Sequence, residues 1–142
     1  MIDINCDNNN LLNEYNIHDW HFDGLDYLDE TNSLTIHLKQ YMCKTDVVVV
    51  CKDVIYLEIT SLDFWGSSYH INGWSILSKS EVKEIFKHKY KMYKRDIKKS
   101  AKLTDDYGNF QEKNFDEYFG VEIELISGDQ LIFITKNIKI DD

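Results

Sequence analysis

Lysine and arginine are missing from the first 38 residues, a stretch that holds eight carboxylates: Asp3, Asp7, Glu14, Asp19, Asp23, Asp26, Asp29 and Glu30. Proline is missing altogether and no Gly/Ser run occurs, so the sequence offers no linker and reads as a single domain over residues 1–142. Long apolar runs are missing too. The longest fully apolar stretch, Val47 to Cys51, falls far short of the ~20 residues that span a bilayer. Met1-Ile2-Asp3 has neither the basic start nor the apolar core of a signal peptide. Cysteine is sparse and odd in number, with Cys6, Cys43 and Cys51 expected to be free thiols in a reducing compartment. These absences lead to the expectation of a cytoplasmic protein.

Aromatic residues, by contrast, are plentiful. Nine Tyr, seven Phe and three Trp exclude a disordered chain, which could not carry so much groups-to-bury surface unfolded. The length is sufficient for one hydrophobic core. Charge is unevenly placed: residues 1–63 carry twelve acids against Lys39, Lys44 and Lys52, while residues 64–142 carry thirteen acids and thirteen bases. The net charge of −9 therefore sits wholly in the first half. Such asymmetry governs partners and association rates, and here it points to a cationic partner. The Asn- and Lys-rich usage matches that of an AT-rich bacterial genome.

Hydrophobic periodicity gives the elements. Val121, Ile123 and Leu125 alternate with Glu122 and Glu124, and Leu131 to Ile134 follow as a strand apolar on both faces, which belongs in the middle of a sheet. Gly128-Asp129 suits a two-residue turn whose first central residue has positive φ. Ile138 and Ile140 extend that strand or form a short edge segment. Near the start, His18, Trp20 and Phe22 alternate with polar residues, then Leu25 and Tyr27 continue on the opposite parity, so a bulge is expected at Gly24. A turn at 29–33 leads back through Leu34, Ile36 and Leu38. Strands over Val47 to Ile59, split at Lys52-Asp53, should bury Ile55, Leu57 and Ile59 and expose Tyr56 and Glu58. Another strand runs from about His70 to Leu77, and Asn8 to Asn10 read as a loose arm leading into Leu11 and Leu12.

One helix stands out. Ser78 and Glu81 form a capping box, and Val82, Ile85, Phe86, Tyr90, Tyr93 and Ile97 make one stripe. Tyr90 and Met92 also fit a strand, but helix is favoured. Residues 101–118 are polar, with a short helical turn near Asn114 to Phe119. The fold expected is α+β, a mainly antiparallel curled sheet built of hairpins with one main amphipathic helix at about residues 79–98.

Catalytic and cofactor signatures are weak. His18 and His21 lie three apart and would point to opposite faces of a strand, and Cys43 and Cys51 lack close pairing, so no metal is expected. Ser67 and Ser68 near His70 sit in no G-x-S-x-G elbow. Neither common phosphate-binding loop occurs, so no cofactor is implied. Eight cations fall between Lys83 and Lys99, yet the acidic whole opposes nucleic-acid binding, which is not expected. The residues favoured as a partner-binding surface are Asp19, Asp23, Asp26, Asp29 and Glu30, with Trp65 of the Phe64-Trp65-Gly66 loop as an aromatic anchor. Trp65, Tyr69 and Trp74 together define an alternative, an aromatic pocket for a small ligand or a housekeeping interaction.

Three segments carry a resemblance: the His18-Asp19 strand opening, Phe64-Trp65-Gly66-Ser67, and Val121-Glu122-Ile123-Glu124-Leu125 with Ser127-Gly128-Asp129. Taken together, they resemble small bacterial immunity proteins, the cytoplasmic neutralisers of polymorphic or contact-delivered toxins. The resemblance implies a non-enzymatic protein that binds one cognate toxin domain with a basic surface, such as a nuclease, and blocks it sterically and electrostatically. It maps no functional residue onto this chain. The basic helix departs from a uniformly acidic inhibitor and weighs against mimicry of DNA.

Overall fold

The computed structural model describes residues 1–60, 70–99 and 114–141, with the side chains of the helix described through residue 95. The strands are β1 (Ile2–Asn5), β2 (His21–Leu28), β3 (Ser33–Lys39), β4 (Asp46–Lys52), β5 (Tyr56–Ile59), β6 (Ile71–Ile76), β7 (Phe119–Leu125), β8 (Gln130–Thr135) and β9 (Asn137–Asp141). A single helical turn, α1 (Leu11–Glu14), precedes β2, and the main helix, α2 (Lys79–Lys99), follows β6. The strands form two antiparallel sheets, β1-β9-β4-β3-β2 and β5-β8-β7-β6. The α+β expectation is met.

Three layers result. Ile36, Val49 and Ile140 of the five-stranded sheet meet Val121, Ile123, Leu131 and Phe133 of the four-stranded sheet in the main core. Ile132 and Ile134, on the opposite face of β8, lie under Val82, Ile85 and Phe86 of α2. That double burial explains why β8 reads as apolar on both faces, and it is an inner strand. The helix begins at the expected capping box: Glu81 N–H donates to Ser78 Oγ at 3.2 Å, and Ser78 N–H to Glu81 Oε1 at 3.4 Å. Residues 90–93 are helical, because the stripe that continues from Phe86 packs on the sheet only at helical spacing. A 3₁₀ turn, Phe115–Glu117, occupies the short helix expected near residue 114, with Asn114 Oδ1 accepting from Asp116 N–H.

The β7–β8 hairpin pairs Val121 with Phe133 and Ile123 with Leu131. Its loop is one residue longer than expected. Gly128 N–H bonds the Leu125 carbonyl at 2.9 Å, Leu125 N–H bonds the Asp129 carbonyl at 2.9 Å, and Gly128 has φ 87°. Ile126, Ser127 and Gly128 thus form a three-residue loop with its glycine in the last position. The β2–β3 hairpin carries its register shift between Phe22 and Gly24, and Gly24 has φ 133°, so the phase slip is a bulge. The strand starts at His21 rather than His18. A turn closed by Trp20 N–H to the Ile17 carbonyl, with Asp19 at φ 65°, takes residues 17–20 out of extended geometry.

The split at Lys52-Asp53 is where the chain leaves one sheet for the other: Asp53 has φ 53°, and Ile55 N–H already bonds the Ile134 carbonyl. Tyr56 does not face solvent as expected. It packs beneath α2, and Ile59 is 41% exposed because β5 is an edge strand that ends there. Ile138 and Ile140 neither extend β8 nor form an edge. They belong to β9, which lies between β1 and β4 in the other sheet and buries both residues fully. The segment before residue 14 is also more ordered than a loose arm: Ile2 and Ile4 pair with Ile140 and Ile138, and Leu12 is fully buried. At the opposite corner Asp19 N–H bonds the Ile71 carbonyl and Ile71 N–H the Trp20 carbonyl, both at 2.8 Å, so the edge of one sheet curls onto the other.

Candidate functional site

Within residues 1–60 the carboxylates lie mainly around the five-stranded sheet. Its inner face holds Leu34, Ile36 and Leu38, and the β2 residues opposite them alternate between core and solvent. Phe22 and Leu25 therefore turn inward, and Asp23 and Asp26 turn to the outer face. Asp23 is 3.8 Å from Lys39 Nζ, which is bound more closely by Asp46 at 2.7 Å. The Asp46 hydrogen bond is the main reason the Lys39 ammonium titrates above its ordinary value. Asp26 meets His37 Nε2 at 3.0 Å and is still 75% exposed. Asp29 and Glu30 lie exposed in the connecting turn, where Asn32 has φ 49°.

Asp26, Asp29 and Glu30 thus share the tip of the hairpin, and Asp23 lies further back beside its lysine. Asp19 stands apart at the far end of β2, where His18 Nδ1 contacts it at 3.1 Å. The eight residues of β2 separate the two ends by roughly 25 Å at ~3.3 Å per residue. Trp65 falls outside the described residues, as do Ser67, Ser68 and Tyr69.

Two apolar residues that the sequence reading did not single out complete the tip. Tyr27 is 42% and Leu28 62% exposed; Tyr27 pairs with Leu34 and keeps the inward parity, whereas Leu28 shares the outer face with Asp26. Tyr27 donates its hydroxyl to Asn32 Oδ1 at 3.2 Å, which orients the ring across the turn. The signal was available: Tyr27 and Leu28 are apolar in sequence on both parities at the very end of a strand, where one of them has to be wet.

The basic helix does not cover this surface. The outer face of the five-stranded sheet and α2 are separated by the core and the four-stranded sheet. With sheets ~10 Å apart and a helix ~10 Å across, that is roughly 20 Å of protein, more than twice the Debye length of ~8 Å at physiological salt. The lysines of α2 whose side chains are described therefore do little to offset the field at the hairpin.

Trp74 packs against the core and donates its indole N–H to the carbonyls of Leu12 at 3.0 Å and Tyr15 at 2.8 Å, a structural role that ties α1 to β6. Between α2 and the four-stranded sheet lies a cleft of about 110 Å³ lined by Ile55, Tyr56, Ile85, Phe86 and Lys89, well below the ~300 Å³ of typical small-molecule sites. Cys51 is buried, and burial pushes its thiol far above the ordinary range. Cys43 is exposed, and hydrogen bonding from Thr45 lowers its thiol. Glu122 is raised by burial and by its neighbours Glu124 and Glu81. Among the described residues no three His, Cys, Asp or Glu side chains converge on a common metal position. No helix among them is long and apolar enough to cross a membrane.

No family model, no curated protein and no solved structure matches the chain.

Proposed function

We propose that this chain is a non-enzymatic protein-binding module, an immunity protein that neutralises a cognate bacterial toxin by covering a basic surface on it. The observation that carries the reading is the hairpin tip, where Asp26 and exposed Leu28 on the outer face of β2 adjoin exposed Asp29 and Glu30 of the turn. Clustered charge of one sign accelerates encounter with a cationic partner. An exposed apolar side chain such as Leu28 can anchor such a contact while the neighbouring charges orient it. Binding would be steric and electrostatic, with no bond made or broken by this chain.

The testing experiment is co-expression with the toxin domain encoded in the same genomic neighbourhood. Cells producing that domain are expected to survive only when the chain is present, and the triple variant Asp26→Lys, Asp29→Lys, Glu30→Lys is expected to lose the rescue while remaining folded. Death of the cells despite abundant wild-type chain would refute the reading.

A further inference from the structure

The geometry points to a metal site at the corner where the two sheets meet: His21 and His70 form a two-imidazole site for a borderline divalent transition-metal ion, of which Zn²⁺ is the type. His70 immediately precedes β6, and the two residues form an isolated antiparallel bridge between the edge of the five-stranded sheet and the start of the four-stranded one. The bond from Ile71 N–H to the Trp20 carbonyl flanks the pair, which makes it a non-hydrogen-bonded pair. In such pairs the side chains stand on the same face at the closest approach that antiparallel strands allow, with Cα atoms ~4.5 Å apart.

The rings are already near a chelating separation. Their centres are 5.9 Å apart, with planes inclined at 76°. With Zn–N bonds of ~2.0–2.1 Å, two imidazoles on one ion have their centres ~5 Å apart at a tetrahedral angle and ~6.4 Å apart when opposed. The observed spacing lies inside that range. Both residues are half-buried, which leaves the rings reachable from solvent.

Among the described residues no three His, Cys, Asp or Glu side chains form a metal-holding group, and two imidazoles leave further coordination positions to other donors. An imidazole-only donor set selects Zn²⁺, Ni²⁺ or Cu²⁺ over Mg²⁺ and Ca²⁺, which prefer oxygen. Bound there, the ion would clamp β2 to the entry of β6. Local sequence spacing concealed the pair, because the residue that joins His21 is not His18 three positions away but His70 across the bridge.

The test is titration of the untagged full chain with zinc chloride, with magnesium chloride as control, followed by calorimetry and by the ring carbon–proton signals of the histidines. One equivalent of Zn²⁺ is expected to bind and to shift the His21 and His70 signals together, leaving His18, His37 and His88 in place; Mg²⁺ shifts none. His21→Ala and His70→Ala are each expected to weaken binding more than about tenfold, and His37→Ala to leave it unchanged. Equal affinity in His21→Ala, or first movement of a different histidine in the wild-type spectrum, would overturn the assignment. The spectral readout needs no variant to fold, and neither arm involves a protein partner.

Discussion

Leu77 lies directly over Gly120: a Cβ on that glycine would come within 2.7 Å of Leu77 Cδ1 and 3.1 Å of its Cβ and Cγ. Leu77 N–H also bonds the Gly120 carbonyl at 2.9 Å. This contact sets the entry of α2 onto the four-stranded sheet, and so holds the basic helix on the side away from the acidic hairpin. Gly120→Ala has no free volume to occupy, since the near atoms include the base of the leucine side chain and not only its tip. A loss of about 1–3 kcal/mol is expected, typical of overpacking in a close-packed site. Urea unfolding followed by circular dichroism measures it, and an unchanged midpoint would show that α2 is seated differently.

Trp74→Phe keeps most of the apolar contact but removes the donor shared by the Leu12 and Tyr15 carbonyls. About 1–3 kcal/mol of stability should be lost, the usual cost of stranding a half-buried acceptor. The near-ultraviolet signal of the Tyr15–Trp74 pair, whose ring centres are 6.1 Å apart, should change at the same time. Full retention of stability would return Trp74 to the pool of candidate binding aromatics.

The thiols should separate by pH. Thr45 lowers the Cys43 thiol, so its thiolate persists to lower pH than that of an ordinary cysteine, and alkylation at neutral pH should modify Cys43 first. Cys51 is held protonated by burial. Its folded-state value is raised, so its contribution to stability is present below the ordinary thiol value of about 8.5 and is lost as pH rises beyond it. Labelling followed by mass spectrometry checks both statements: Cys51 should react only on unfolding, and more readily at alkaline pH.

Much of this fold is legible in the sequence because its strongest signals are local. The alternation from Val121 to Leu125, the parity slip at Gly24 and the Ser78–Glu81 box each act within a few residues, and the structure bears them out. The misreadings arise where tertiary pairing decides. Ile138 and Ile140 carry no local mark that they belong to a different sheet from β8; their partners are Ile2 to Ile4 and Val49 to Cys51. Tyr56 looked wet because its parity opposes Leu57, but the second face of β5 is covered by a helix. Of the candidate surface, the acids were evident in composition. Which three share a tip, and which one stands roughly a strand's length away, depends on where β2 begins and bends. The exposure of both Tyr27 and Leu28 carries no local mark, because an apolar pair at a strand end reads as core until the sheet edge is known.

Ser78→Ala removes the hydroxyl that accepts Glu81 N–H at the start of α2. A loss of about 1 kcal/mol is expected from this cap alone. Because the helix is remote from the hairpin, affinity for a basic partner should not change. A binding defect in this variant, measured at a temperature where it is fully folded, would couple the two faces in a way the layered arrangement does not provide for.

The most direct measurement is the association rate of the chain with a basic toxin domain as ionic strength is varied. Wild type should associate fast at low salt and slow steeply as salt rises. The Asp26→Lys, Asp29→Lys, Glu30→Lys variant should associate about tenfold or more slowly at low salt, with a flattened salt dependence, whereas Lys87→Glu, Lys91→Glu, Lys94→Glu on the far side should keep or exceed the wild-type rate. Loss of association in the helix variant, with the hairpin variant unaffected, would contradict the assignment of binding to the acidic tip.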